Sequence, residues 1–68
     1  MCLSTAYLNS KDEDKVAARY VAEISVDGNR IVLRDIMGEE RVIEGAISHV
    51  DLTGGTVIIA TEIGRAHV

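Results

Sequence analysis

The chain has 68 residues and a net charge of −4, with seven Lys and Arg against eleven Asp and Glu. That balance excludes a bulk electrostatic pull toward nucleic acid or an anionic membrane. No apolar run approaches the roughly 20 residues of a membrane-spanning helix.

The elements follow in chain order, and the dominant apolar spacing is two, which predicts strands. Cys2 to Leu8 is a short apolar and hydroxyl-rich run and reads as a first strand. Asn9 to Lys15, with Asp12, Glu13 and Asp14 in a row, reads as an exposed loop. The acidic run lacks the spaced ligands and turn glycine of a calcium loop. Val16 to Val26 alternates Ala22, Ile24 and Val26 against Glu23 and Ser25 and is predicted as a second strand. Val16, Ala17, Tyr20 and Val21 also fit one side of a helical turn. Asp27-Gly28-Asn29 is a hairpin turn, because Gly and Asn tolerate positive φ.

Arg30 to Asp35 is the third predicted strand, and Met37-Gly38-Glu39-Glu40 the turn after it. Arg41 to Leu52 is the longest strand-like segment. Its alternation changes phase near Gly45, which predicts a bulge or sharp bend there. Thr53-Gly54-Gly55 is a further turn, not a phosphate loop, since no Lys and no helix start follow. Thr56 to Thr61 is the last strand, around Val57, Ile58 and Ile59.

Five short strands joined by tight turns, one of them bent, predict an all-β domain: a small SH3-like five-stranded antiparallel barrel over residues 1–61. A compact OB-like barrel is the second choice. Residues 62–68 are expected to form a flexible tail. With no Phe or Trp, the core falls to Val, Ile, Leu and Ala. A chain this short buries only about 60% of its unfolded surface, so it needs outside support. One cysteine makes no intrachain disulfide. One Cys and two His do not make the usual four-ligand zinc site. Oligomerisation remains, with a homodimer as the commonest form. A lone thiol without a basic and apolar leader points to the cytoplasm.

The chemistry concentrates at Cys2, the only cysteine, directly after Met1. A thiol within one residue of a free amine is a ready-made chelate: amine nitrogen, amide nitrogen and sulfur close rings on one metal. On spacing alone, a lone Cys reads first as a small buried apolar residue. His49 and Asp51 stand two apart on one strand face, which suits a metal's outer partners or a third ligand or, more simply, an exposed face with a local hydrogen bond. His67 falls in the tail. No catalytic pair is well held: Cys2 is terminal, and His49 is the only structured imidazole to orient it. The expectation is no enzyme activity.

Specific residues then carry a resemblance. The start, Met1-Cys2-Leu3-Ser4-Thr5-Ala6-Tyr7-Leu8, resembles the N-terminus of the CooT family of small nickel-binding proteins. So do Ile24 to Gly28, Ile31 to Glu39, and Val42 to Leu52 with Glu44-Gly45 and Val50-Asp51-Leu52, so that the likeness spans residues 1 to about 60. The chain departs from the family at Met37, where an aromatic is frequent, and in its tail from Gly64 to Val68.

The resemblance implies a homodimer of SH3-like barrels that binds Ni(II) through Cys2, with Met1 contributing its terminus and one nickel per dimer. Zn(II) and copper are the competing metals. In the best-known setting such proteins serve nickel supply to carbon monoxide dehydrogenase, so a nickel-dependent enzyme is the implied recipient. The alternative is a metal-free SH3-like module for RNA or peptide. It would draw on Arg30, Arg34 and Arg41 on adjacent strands, but Tyr7 and Tyr20 are the only aromatic stacking groups.

Overall fold

The computed structural model describes residues 3–61. Six strands form one sheet: β1 (Ser4–Leu8), β2 (Val16–Asp27), β3 (Arg30–Asp35), β4 (Glu40–Glu44), β5 (Ala46–Asp51) and β6 (Thr56–Ala60). A short 3-10 turn at Glu13–Lys15 precedes β2 within the predicted acidic loop. The strand order is β4-β3-β2-β1-β6-β5. Residues 16–26 are strand, as the alternation predicted, and not helix.

The five-stranded antiparallel barrel is corrected on three counts. The segment 41–52 is two strands, β4 and β5, separated at Gly45. β1 and β6 pair in parallel, with Thr5 opposite Thr56 and Leu8 opposite Ile59, whereas every other pair is antiparallel. No ladder joins β4 to β5 among the described residues, so the sheet is open and mixed.

One cause underlies all three corrections. β4 and β5 are a single chain pass turned at a corner, so direction does not reverse between them. β1, β3 and β6 then run one way, and β2 and the β4–β5 pass run the other. The first and last strands meet in the middle of the sheet, necessarily parallel.

The corner needs glycine for space. A Cβ on Gly45 would collide with the carbonyl oxygen of Ala60. Its amide N–H donates to the Asn29 carbonyl at 2.8 Å, tying the corner to the β2–β3 hairpin. The phase slip lies elsewhere than predicted. Ile43 and Ile47, on either side of Gly45, both pack on the core. The register shifts between Ile47 and His49 instead, leaving Ser48 as the extra residue of a bulge. From there Val50 opposes the buried Val57.

The main core cluster is aliphatic, Ala6, Val21, Ile31, Leu33, Val57 and Ile59, and Tyr7 on β1 is buried as well. The six come from the four central strands, so β4 and β5 contribute only partly buried residues, Ile43 and Ile47. Beyond β1, Asn9 clamps the end of β6. Its Nδ2 donates to Thr61 Oγ1 at 3.1 Å, and its Oδ1 accepts from the Thr61 amide at 3.0 Å. Asn9 adopts φ 72°, a region Asn tolerates better than most residues.

Candidate metal centre

Met1 and Cys2, the predicted metal residues, lie outside the described residues, as do the tail and His67. What the structure describes is the platform that follows them. β1 is a central strand, held on both sides: Ser4 pairs with Val21 of β2, and Thr5 with Thr56 of β6. The Thr5 amide donates to the Gly55 carbonyl at 2.8 Å. Gly55 has φ 69°, and a Cβ there would stand 3.2 Å from the Leu3 carbonyl oxygen. The β5–β6 turn therefore packs its backbone directly against the chain where it leaves Cys2. Gly54-Gly55, legible as a turn, is also what permits this approach.

His49 and Asp51 do share a face, opposite Ile58 and Thr56 respectively. His49 is exposed. The Asp51 carboxylate accepts the Gly54 amide at 3.0 Å, so it serves the β5–β6 turn. Among the described residues, no group of three or more His, Cys, Asp or Glu side chains is placed to hold a metal ion. The described residues of one chain thus hold no metal site of their own.

The arginines do not form one surface. Arg34 lies between two carboxylates, 3.1 Å from Glu23 and 3.0 Å from Glu40. The hydrogen bond to Glu40, and then the charges of Glu23 and Glu40, hold its pKa above the ordinary guanidinium value. Arg30 stands opposite Glu44 and Asp27 in register. Arg41 pairs with the buried Leu33 and belongs to the other face. A nucleic-acid surface needs uncompensated cations on one face, and these three residues are split between faces and largely matched by acids.

Two features escaped the sequence reading. Asp35 organises the β3–β4 turn: its Oδ1 accepts from the Met37 amide at 2.9 Å and the Glu39 amide at 3.0 Å. Gly38 at φ 89° completes that turn. An Asp followed by a glycine three residues on is the signal that was available. The second is Tyr20, whose φ of 58° is rare for a bulky residue and which no local pattern announces. Between β2 and the β3–β4 turn, a shallow cleft of about 100 Å³ is lined in part by Arg19, Leu33, Asp35 and Arg41. It falls short of the roughly 300 Å³ at which small-molecule pockets begin.

A family model described as CO dehydrogenase accessory protein CooT matches residues 1–60. The chain belongs to the CooT family. The match includes Met1 and Cys2 and ends at the last residue of β6. Among solved structures, a crystal structure of a chain described as CooT from Carboxydothermus hydrogenoformans is similar, with a TM-score of 0.78 at 20% identity. The similarity covers 90% of this chain and 98% of that one, so the two share the CooT fold over nearly their whole length. No curated protein sequence matches. No helix among the described residues is long and apolar enough to cross a membrane.

Proposed function

We propose that this protein is a Ni(II) carrier that binds its metal at the Met1-Cys2 terminus of a homodimer and serves as an accessory protein to a nickel enzyme of the carbon monoxide dehydrogenase type. The observation that supports this most is the CooT family match, which runs through the N-terminal Met-Cys pair. The donor chemistry agrees. Thiolate with nitrogen donors in a square plane favours Ni(II) or Cu(II), while thiolate alone suits zinc and Cu(I). With Met1 retained, the terminal amine, the Cys2 amide nitrogen and the Cys2 thiolate supply three donors. With Met1 removed, the amine and thiolate of Cys2 form a bidentate pair, and two chains complete an N2S2 set.

In the first form a partner thiolate or a His supplies the fourth donor, and in the second a second chain is needed to close the site. Binding must displace protons from the amine and thiol, and from the amide where it participates, so affinity rises with pH. The protein carries metal and performs no catalysis in this reading.

Equilibrium dialysis against Ni(II), comparing the wild type with Cys2→Ser, tests the proposal. The expected result is one nickel per two chains in the wild type, tighter at pH 8 than at pH 6, and none in the variant. Equal nickel in both proteins would sink it.

A further inference from the structure

The nickel reading, on which this inference rests, raises the question of what braces the terminus that takes the metal. Cys2 is joined directly to Leu3, so any hold on Leu3 limits where Cys2 can reach. The described ladders of β1 begin later, with Ser4 opposite Val21 and Thr5 opposite Thr56. Leu3 lies beyond both, and the β5–β6 turn meets it there.

The turn glycines show how particular that meeting is. Gly28, Gly38 and Gly55 all have positive φ. A Cβ on Gly28 or Gly38 would face open space. A Cβ on Gly55 would stand 3.2 Å from the Leu3 carbonyl oxygen and 3.9 Å from the Ser4 Cα. Of these three turns, the one pressed against another part of the chain presses on the segment that follows Cys2.

Burial does not shape this turn. Leu52, its one large apolar side chain, is 77% exposed. Asp51 shapes it instead. Its carboxylate accepts the Gly54 amide at 3.0 Å, an Asx turn that closes the loop locally. A side chain on Gly54 would crowd that carboxylate, since a Cβ there would lie 2.9 Å from Oδ2. The Gly55 carbonyl then accepts the Thr5 amide at 2.8 Å. Contacts thus run without a break from the Asp51 carboxylate through Gly54 and Gly55 to Leu3 and Thr5.

We infer that Asp51 is a positioning residue for nickel: by fixing the β5–β6 turn it braces Leu3 and narrows the positions from which Cys2 offers its donors. The gain is entropic. A segment already held need not be ordered when the metal binds, and ordering one residue's backbone costs about tenfold in affinity. This role uses an acceptor oxygen at the right distance and makes no use of the Asp51 charge.

The test is a calorimetric titration of the full chain with Ni(II), run beside backbone amide hydrogen exchange. The variants are Asp51→Ala, Asp51→Asn, Asp35→Ala and Cys2→Ser. Asp35 is the matched control, because its carboxylate fixes the β3–β4 turn in the same manner through the Met37 and Glu39 amides. That turn leans on β2, where the Ile36 amide donates to the Tyr20 carbonyl at 3.0 Å. Asp51→Ala is expected to bind nickel about tenfold more weakly and to lose protection at the Thr5 amide. Asp51→Asn keeps the acceptor and is expected to match the wild type. Asp35→Ala is expected to lose protection at the Glu39 amide while keeping Thr5 protection and nickel affinity. Cys2→Ser is expected to take up no nickel. Should Asp51→Ala fail to fold, Asp51→Glu keeps the charge but displaces the acceptor, and the same weakening is expected.

Wild-type nickel affinity in Asp51→Ala overturns the inference and leaves the nickel reading standing. So does an Asp51→Asn as weak as Asp51→Ala, which assigns the effect to charge. An equally weak Asp35→Ala also overturns it, by assigning the effect to a general softening of the sheet. A wild type that takes up no nickel, or a Cys2→Ser that takes up as much, sinks the nickel reading and this role with it.

Discussion

The β2 strand and the β4–β5 pass both turn a corner, and they do so by different means. The β4–β5 pass bends at Gly45, where the missing side chain lets two backbones touch. β2 bends at Tyr20 and at a second register shift before Glu23, carrying a bulky exposed residue through a conformation glycine would adopt more readily. The first corner is resolved by residue choice. The second retains an energetically costly residue, which fits a position under a demand other than folding. The difference separates a corner made by leaving a side chain out from one that carries a side chain through positive φ.

The largest expected effect tests the first corner. Gly45→Ala places a Cβ against the Ala60 carbonyl, a backbone atom at the end of β6 that cannot swing aside as a side chain would. The cost is expected near the upper end of that for overpacking, about 3 kcal/mol, read from the urea midpoint. A chain that tolerates this change with under about 0.5 kcal/mol lost would show that the corner relaxes freely.

What was legible in the sequence follows the same division. Gly28 and Gly54-Gly55 marked their turns, and Gly45 marked its corner, because glycine is a local signal for a local need. The aliphatic core was legible from alternation. The parallel pairing of β1 with β6 was not, because it depends on counting the β4–β5 pass as one direction, which a bend without reversal conceals. The slip at Ser48 was misassigned to Gly45, since both interrupt one alternating run and only the register separates them. Ala22 was placed on the apolar face, yet the core residue there is Val21, because the bulges shift which residues face inward. At the candidate site, Cys2 stood out by chemistry alone. The positive φ of Tyr20 did not, because Tyr20 looks like an ordinary member of a strand until the backbone is known.

The second corner is tested by a series that removes the tyrosine side chain every time and varies only tolerance of positive φ. Stability is expected to fall in the order Tyr20→Gly, Tyr20→Asn, Tyr20→Val, spanning about 1–2 kcal/mol. Denaturation is followed at several protein concentrations, since self-association shifts apparent stability by mass action. If Val proves the most stable, β2 does not hold a strained residue there, and the contrast between the two corners disappears.

The smallest effect concerns the tie between the two passes. Arg34 on β3 links Glu23, beyond the bend in β2, to Glu40, before the corner in the β4–β5 pass. All three side chains are about half exposed, so salt screens the pairs and the geometry matters more than the charge. The pKa of Arg34 is raised, first by its hydrogen bond to Glu40. A base with a raised folded pKa contributes stability that is complete below its ordinary guanidinium value and is lost only as pH climbs through the still higher folded value. Arg34 therefore adds no pH dependence between pH 6 and 9. Arg34→Met is expected to lower the urea midpoint slightly in low salt and not measurably in about 1 M salt, where the Debye length shrinks to about 3 Å. A loss that persists at high salt would mean that the guanidinium clamps the two bent passes by packing and hydrogen bonding, and that neither corner holds its angle through its own backbone alone.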